Sequence, residues 1–220
     1  MIRGDEPRRT RLHDLSGRFV GRRAAAIDLP RAAWQAAGRK ALGRYPEIPW
    51  IPFPAIRRFE QLIAPSWSVL EVGAGMSTLW WAERVATVVS IEGNREWFEQ
   101  VRDTLRQRGR TNVTIEHRDG DDYADLSALP SRSFDMIVAD GWERPRVLEQ
   151  TLRLCRRPGF VYLDDTDKAA LWQEHWGEAV GQLAEMASEV DGRIESFTGL
   201  KPATVVACSG QLLHVPGELS

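Results

Sequence analysis

Cysteine is nearly absent: the chain carries two, Cys155 and Cys208, both in apolar stretches. A disulfide-stapled secreted scaffold does not fit that usage. Buried free thiols in a reducing, cytoplasmic compartment are expected instead. Long hydrophobic runs are also missing, since none approaches the roughly 18 residues of a membrane span. The N-terminus has arginines but no apolar segment of the kind a secretory signal needs. Nor is there an excess of one charge: 29 Lys and Arg stand against 31 Asp and Glu, a formal net charge of −2. That balance gives no global attraction to nucleic acid or to an anionic membrane. Internal repeats and low-complexity tracts are lacking too. What remains is ordinary for a soluble domain, with 43% hydrophobic residues over 220 positions, enough for one core plus a terminal extension. Tryptophan is the abundant exception: nine are present, expected mostly in the core with several available to line a pocket.

The most informative stretch is Ser68-Val-Leu-Glu-Val-Gly-Ala-Gly-Met-Ser-Thr78. Val69, Leu70 and Val72 form a short buried strand. Gly73, Ala74 and Gly75 make a turn in which the backbone can bend sharply and approach a ligand closely. Ser77 or Thr78 caps a helix over Met76–Arg84, whose first N–H groups would face a polar ligand. A dinucleotide fingerprint would place a third glycine at position 78. Thr78 stands there instead, and Glu71 precedes the glycines.

Along the rest of the chain, strands and helices alternate. Residues 1–28 read as a flexible, arginine-rich arm and 29–65 as a cap segment. That cap holds a helix over Leu29–Arg44 opened by Pro30, the proline-rich stretch Tyr45–Pro54, and an amphipathic helix over Ala55–Ala64. Tyr45, Trp50 and Phe53 either pack on the domain or lid a cleft. Residues 66–210 form the main domain, and 211–220 read as a tail. A strand at Thr87–Ile91 ends in Glu92, 17 positions after Gly75. A carboxylate at such a strand end can accept both hydroxyls of a ribose. A helix over Asn94–Arg108 follows, then a strand at Val113–Ile115. After it, Asp119 and Gly120 could hold an adenine amino group, with Asp121 second in register. Phe134–Ala139 leads to Asp140-Gly141, and Phe160–Leu163 leads to Asp164-Asp165. Lys168–Val190 reads as largely helical. Strands at Arg193–Phe197 and Ala203–Cys208 close the domain as a hairpin through Thr198–Pro202. These units imply an α/β fold with a mostly parallel seven-stranded sheet, helices on both faces and a C-terminal antiparallel hairpin.

An acid one residue before Gly-x-Gly, and a strand–helix series closed by a hairpin, resemble class I S-adenosylmethionine (SAM) methyltransferases and their Rossmann-like fold. The resemblance spans roughly 46–209. It is carried further by Ser77-Thr-Leu-Trp80, Glu92, Trp97, Phe134–Gly141, Arg144 or Arg146, Leu163-Asp-Asp165 and Phe197-Thr-Gly-Leu-Lys-Pro202, a pattern similar to that of small bacterial methyltransferase-domain proteins. It implies SAM as cofactor, held by Glu71, Gly73, Ala74, Gly75, Ser77, Thr78, Glu92, Asp119, Gly120 and Asp140. A looser resemblance, to cation-dependent catechol and caffeoyl-CoA-type O-methyltransferases, implies that Asp140, Asp164 and Asp165 ligate Mg²⁺. Asp165 replaces the Asn of that pattern.

The activity so implied is methyl transfer to a small-molecule or sugar hydroxyl. Asp140, Lys168 or His175 would remove the acceptor's proton, or the metal would lower its pKa. Asp140-Gly-Trp-Glu143 lacks the Asn/Asp-Pro-Pro-Tyr/Phe motif of enzymes that methylate base nitrogens. The expected partner is thus a small acceptor, not nucleic acid or a membrane, with a homodimer left open. A non-catalytic nucleotide-binding module and an NAD-binding oxidoreductase are the rival readings.

Overall fold

The computed structural model describes residues 8–217. Its single sheet comprises β1 (Ser68–Val72), β2 (Thr87–Glu92), β3 (Val113–His117), β4 (Phe134–Ala139), β5 (Cys155–Leu163), β6 (Arg193–Leu200) and β7 (Ala207–Val215). The strand order is β3-β2-β1-β4-β5-β7-β6. β1 to β5 are parallel, while β7 runs antiparallel to both β5 and β6. The α-helices are α1 (Arg22–Leu42), α2 (Phe53–Leu62), α3 (Met76–Ala82), α4 (Arg95–Gln107), α5 (Arg144–Leu154) and α6 (Glu178–Glu189). Short 3₁₀ segments at Gly120–Ala124 and Thr166–Ala170 and a π-helical turn at Gln173–Gly177 join them.

The period-two alternation of strands builds both faces. Leu70, Val72, Ile137, Ala139, Val161 and Leu163 pack with Val147 and Leu148 of α5 and Leu183 of α6. Their neighbours Val69, Met136, Val138 and Tyr162 point the other way, against Phe53, Ile56 and Phe59 of α2 and Trp80 and Trp81 of α3. Strand order reverses between β1 and β4, so the loops after these strands diverge and leave a crevice at the carboxyl edge.

Several boundaries differ from the sequence expectation. Helix α1 begins at Arg22, not Leu29, and Pro30 lies inside it. The run Arg22-Arg-Ala-Ala-Ala-Ile27 is made of good helix formers and carries the helix past the proline, which sits exposed. Asp28 of α1 takes a two-pronged pair from Arg57 of α2, at 2.8 and 3.2 Å. Residues 8–21, expected as a flexible arm, are clasped to the sheet. Leu15 N–H donates to Asp167 at 3.0 Å, Ser209 Oγ donates to Asp14 at 2.5 Å, and Ala207 N–H donates to the Arg11 carbonyl at 2.9 Å. Residues 1–7 of that arm lie outside the described residues. The closing hairpin is longer than expected. β6 runs through Leu200, the turn spans 201–206, and β7 continues to Val215. Gln211–Val215 is therefore sheet, not tail: Leu212 and Leu213 are fully buried and pair with Tyr162 and Val161.

Both cysteines are free and buried. Only Trp80 and Trp81 among the tryptophans are fully buried, and Trp34 on α1 is 82% exposed. No helix of the described residues is long and apolar enough to cross a membrane.

Candidate active site at the strand switch point

The crevice between the β1 and β4 loops is a cleft of about 370 Å³, within the usual size of a small-ligand site. Gly73, Ala74, Gly75, Met76 and Ser77 form one wall, Asp140, Gly141 and Trp142 the opposite one, and Glu92 stands at the end of β2. The two loops touch. A Cβ on Gly73, whose φ is +105°, would lie 2.7 Å from the carbonyl carbon of Asp140, so only glycine permits this approach. At Gly141 a Cβ would meet the Tyr123 hydroxyl oxygen at 1.7 Å, so a side chain there would have to displace the Tyr123 ring.

The N–H groups of the turn itself are already engaged within the protein. Gly73 and Ala74 donate to the Ile91 carbonyl at 2.9 and 3.1 Å, and Gly75 donates to Thr78 Oγ1 at 3.0 Å. What the turn offers a ligand is closeness.

Glu71 and Thr78 also lie apart from the cleft. Glu71 shares the Val69 face of β1, and it is paired across the strands with Ser90. Its Oε2 accepts from Thr78 Oγ1 at 2.5 Å and Ser90 Oγ at 2.7 Å. Strand alternation turns this carboxylate toward α3, where it fastens the turn from beneath. Burial pushes its pKa from 4.5 to about 7, opposed by the hydroxyls of Ser77, Thr78 and Ser90. Glu92, by contrast, lines the cleft. Its Oε1 accepts the Asn94 N–H at 2.7 Å, and burial raises its pKa despite the hydrogen bonds from backbone N–H groups. Asp119 and Gly120 line an adjoining hollow of about 380 Å³, which shares Tyr123 and Trp142 with the main cleft.

On the far side the strand-end acids converge. Asp140, Asp164 and Asp165 each offer an oxygen within 4.8 Å of the others. They are embedded among cations. Lys201 Nζ donates to Asp164 Oδ2 at 3.1 Å and to Asp165 Oδ1 at 2.9 Å, and Lys168 Nζ donates to Asp165 Oδ2 at 2.6 Å. The Arg144 guanidinium lies 3.4 Å from Asp140 and 3.7 Å from Asp165. Burial opposes ionisation of Asp165, yet Lys201, Lys168 and Arg144 together hold it well below the usual carboxylate range. Asp140 goes the other way: burial, then the neighbouring Asp164, push it well above that range. Burial raises Asp164 as well, but of the two only Asp140 lines the cleft, so Asp140 is the member placed to take up an acceptor's proton. Lys168 lines the cleft, is ion-paired with Asp165 and stands 5.0 Å over the Trp176 ring. His175 does not line the cleft; it packs on Trp176, their ring centroids 5.0 Å apart.

Sequence reasoning missed Tyr123, Trp176 and Lys201. With Trp50, Trp97 and Trp142, Trp176 gives the cleft an aromatic wall. Trp97 Nε1 donates to the Ala74 carbonyl at 2.8 Å, tying α4 to the glycine turn. Among the cap residues, Trp50 lines the cleft, Tyr45 stacks on Trp50, and Phe53 is in the core.

Sheet order, switch-point cleft and closing hairpin together are the Rossmann-like fold of class I SAM methyltransferases. No protein-family model and no curated protein matches the sequence. Solved structures do match in fold. A putative O-methyltransferase from Klebsiella pneumoniae is 18% identical, with a TM-score of 0.56 over 86% of this chain and 99% of that one. A SAM-dependent O-methyltransferase from Thermotoga maritima is 15% identical, with a TM-score of 0.56 over 84% and 72%. A precorrin 8W decarboxylase from Methanobacterium thermoautotrophicum is 20% identical, with a TM-score of 0.52 over 78% and 99%. At these identities the likeness establishes the fold, and the differing chemistries leave the reaction to be argued from the site.

Proposed function

We propose that this chain is a SAM-dependent methyltransferase acting on a hydroxyl of a small molecule. The observation that carries the reading is the cleft at the β1/β4 switch point, with the Gly73 turn on one side, Asp140 on the other and the Glu92 carboxylate at the end of the neighbouring strand. A nucleoside fits this set. Glu92 has paired oxygens for ribose hydroxyls, the bare turn lets a ligand lie against backbone, and Asp119 lines the adjoining hollow an adenine would enter. SAM supplies a methyl group already activated on its sulfonium. The chain's own residues have the remaining tasks. Trp50, Trp142 and Trp176 wall in a planar acceptor and exclude water, and the rigid turn fixes distance and angle. Asp140, with its raised pKa, takes the acceptor's proton.

Titration calorimetry with S-adenosylhomocysteine tests the reading. Stoichiometric binding is expected, weakened roughly tenfold or more by Glu92→Ala, the scale of a lost hydrogen bond to a charged group. Absence of binding at high protein concentration, or unchanged affinity in the variant, defeats it. Release of S-adenosylhomocysteine in a screen of small phenols and sugars reads turnover, which Asp140→Asn should abolish.

A further inference from the structure

We propose that the Asp140/Asp164/Asp165 cluster is closed to divalent metal because the chain's own Lys201 ammonium occupies the ion's place. The oxygen count argues it first. All four carboxylate oxygens of Asp164 and Asp165 already accept hydrogen bonds. Asp164 Oδ1 takes the Tyr162 hydroxyl at 3.0 Å and Oδ2 takes Lys201, while Asp165 Oδ1 takes Lys201 and Oδ2 takes Lys168. A hard cation of the Mg²⁺ or Ca²⁺ type needs roughly six or more oxygens around it, and here it would have to displace these donors.

The charge balance argues the same way. Three carboxylates face the three cations Arg144, Lys168 and Lys201. Asp164 is fully buried, so an added ion would leave uncompensated positive charge where water cannot screen it. Two of the chain's three lysines are in this cluster. Lys201 is firmly placed. Its N–H donates to the Val206 carbonyl at 3.0 Å and its carbonyl accepts from Thr204 Oγ1 at 3.1 Å, which fixes it at the β6–β7 turn. The hairpin thus delivers a fixed ammonium between Asp164 and Asp165. Lys201 is a positioning residue: it holds Asp164 and Asp165 without reaching the cleft, and leaves Asp140 as the least engaged carboxylate.

Exclusion of metal stands whatever reaction the cleft performs. The corollary, methyl transfer unaffected by chelators, rests on the function proposed above. The test is therefore Mn²⁺ uptake followed by electron paramagnetic resonance, which needs no turnover. Wild type should leave Mn²⁺ free up to about 1 mM, the weak end of protein cation sites. Lys201→Ala should take up one Mn²⁺ per chain, at least roughly tenfold more tightly, and Asp164→Asn in that background should abolish the uptake. Lys201→Arg restores a cation and should again exclude Mn²⁺. One Mn²⁺ bound by wild type and lost in Asp164→Asn overturns the proposal, as does a folded Lys201→Ala protein that gains none. Should Lys201→Ala not fold, Lys201→Met carries the same prediction, and the wild-type titration decides by itself. Failure of S-adenosylhomocysteine to bind would count against the proposed function and leave this result intact.

Discussion

Glu71 and Glu92 share one face of the sheet, since Glu71 pairs with Ser90 and Glu92 follows two residues on. They meet different fates because Glu92 ends its strand at the crevice while Glu71 sits one residue inside its own, under α3. Glu92 reaches the cleft, while Glu71 is 1% exposed beneath it. Its buried carboxyl has a pKa of about 7, above the ordinary 4.5. In the interval between these values the folded chain holds a proton that the unfolded chain releases. The group's contribution to stability is therefore complete below the ordinary value and is lost as pH rises through about 7. Glu71→Gln keeps an oxygen for Thr78 and Ser90 and removes the titration. Denaturant unfolding should show the variant more stable than wild type at pH 8, by on the order of 3 kcal/mol, and nearly equal at about pH 4. Parallel pH profiles would show that this carboxyl is not titrating in the folded state.

At the scale of elements, the site depends on how closely the β1 and β4 loops approach. Gly73→Ala forces a side chain against the Asp140 backbone and imposes a left-handed φ that alanine resists. Unfolding free energy should fall by about 2 kcal/mol or more, and affinity for S-adenosylhomocysteine should fall with it, because Asp140 and Gly141 must move. Gly38 is a control glycine. It lies in α1, and a Cβ added there would meet nothing within 4 Å, so Gly38→Ala should be neutral or slightly stabilising. Equal effects of the two substitutions, read by chemical denaturation, would refute the tight crossing.

The whole molecule is held by contacts between its two ends. Residues 8–21 run across β7, and Asp167 joins them by accepting from Leu15 N–H and Ser209 N–H at 3.0 and 3.1 Å. Asp14 is fully buried and takes the Ser209 hydroxyl. Asp14→Ala should remove the acceptor of the Arg18 N–H and the Ser16 hydroxyl, leave the Ser209 hydroxyl only its contact with Thr198, and lower stability by about 1–3 kcal/mol. Hydrogen exchange should accelerate in β7 and near Thr166–Ala170 while β1–β3 keep their protection. Uniform acceleration across the sheet would show that the clasp is not a separate unit.

The amino-acid sequence by itself determined whatever rests on neighbours along the chain. The strand at Ser68–Val72, its glycine turn, the acid ending β2 and the alternation that makes a parallel sheet are written in short-range apolar period and turn chemistry. The capping of α4 by Asn94, which accepts from Trp97 N–H at 2.9 Å, is of the same kind. Tertiary structure decided what depends on residues far apart. Lys201 meets Asp164 only because β7 inserts beside β5. Glu71 leaves the cleft because α3 closes over its face of the sheet. Gln211–Val215 is sheet because Phe160–Leu163 supplies it a partner. The clasped arm looks solvated until Asp167 and Ser209 are brought beneath it. Pairing across long separations is set by the collapse of the whole chain, and no local pattern of residues encodes it.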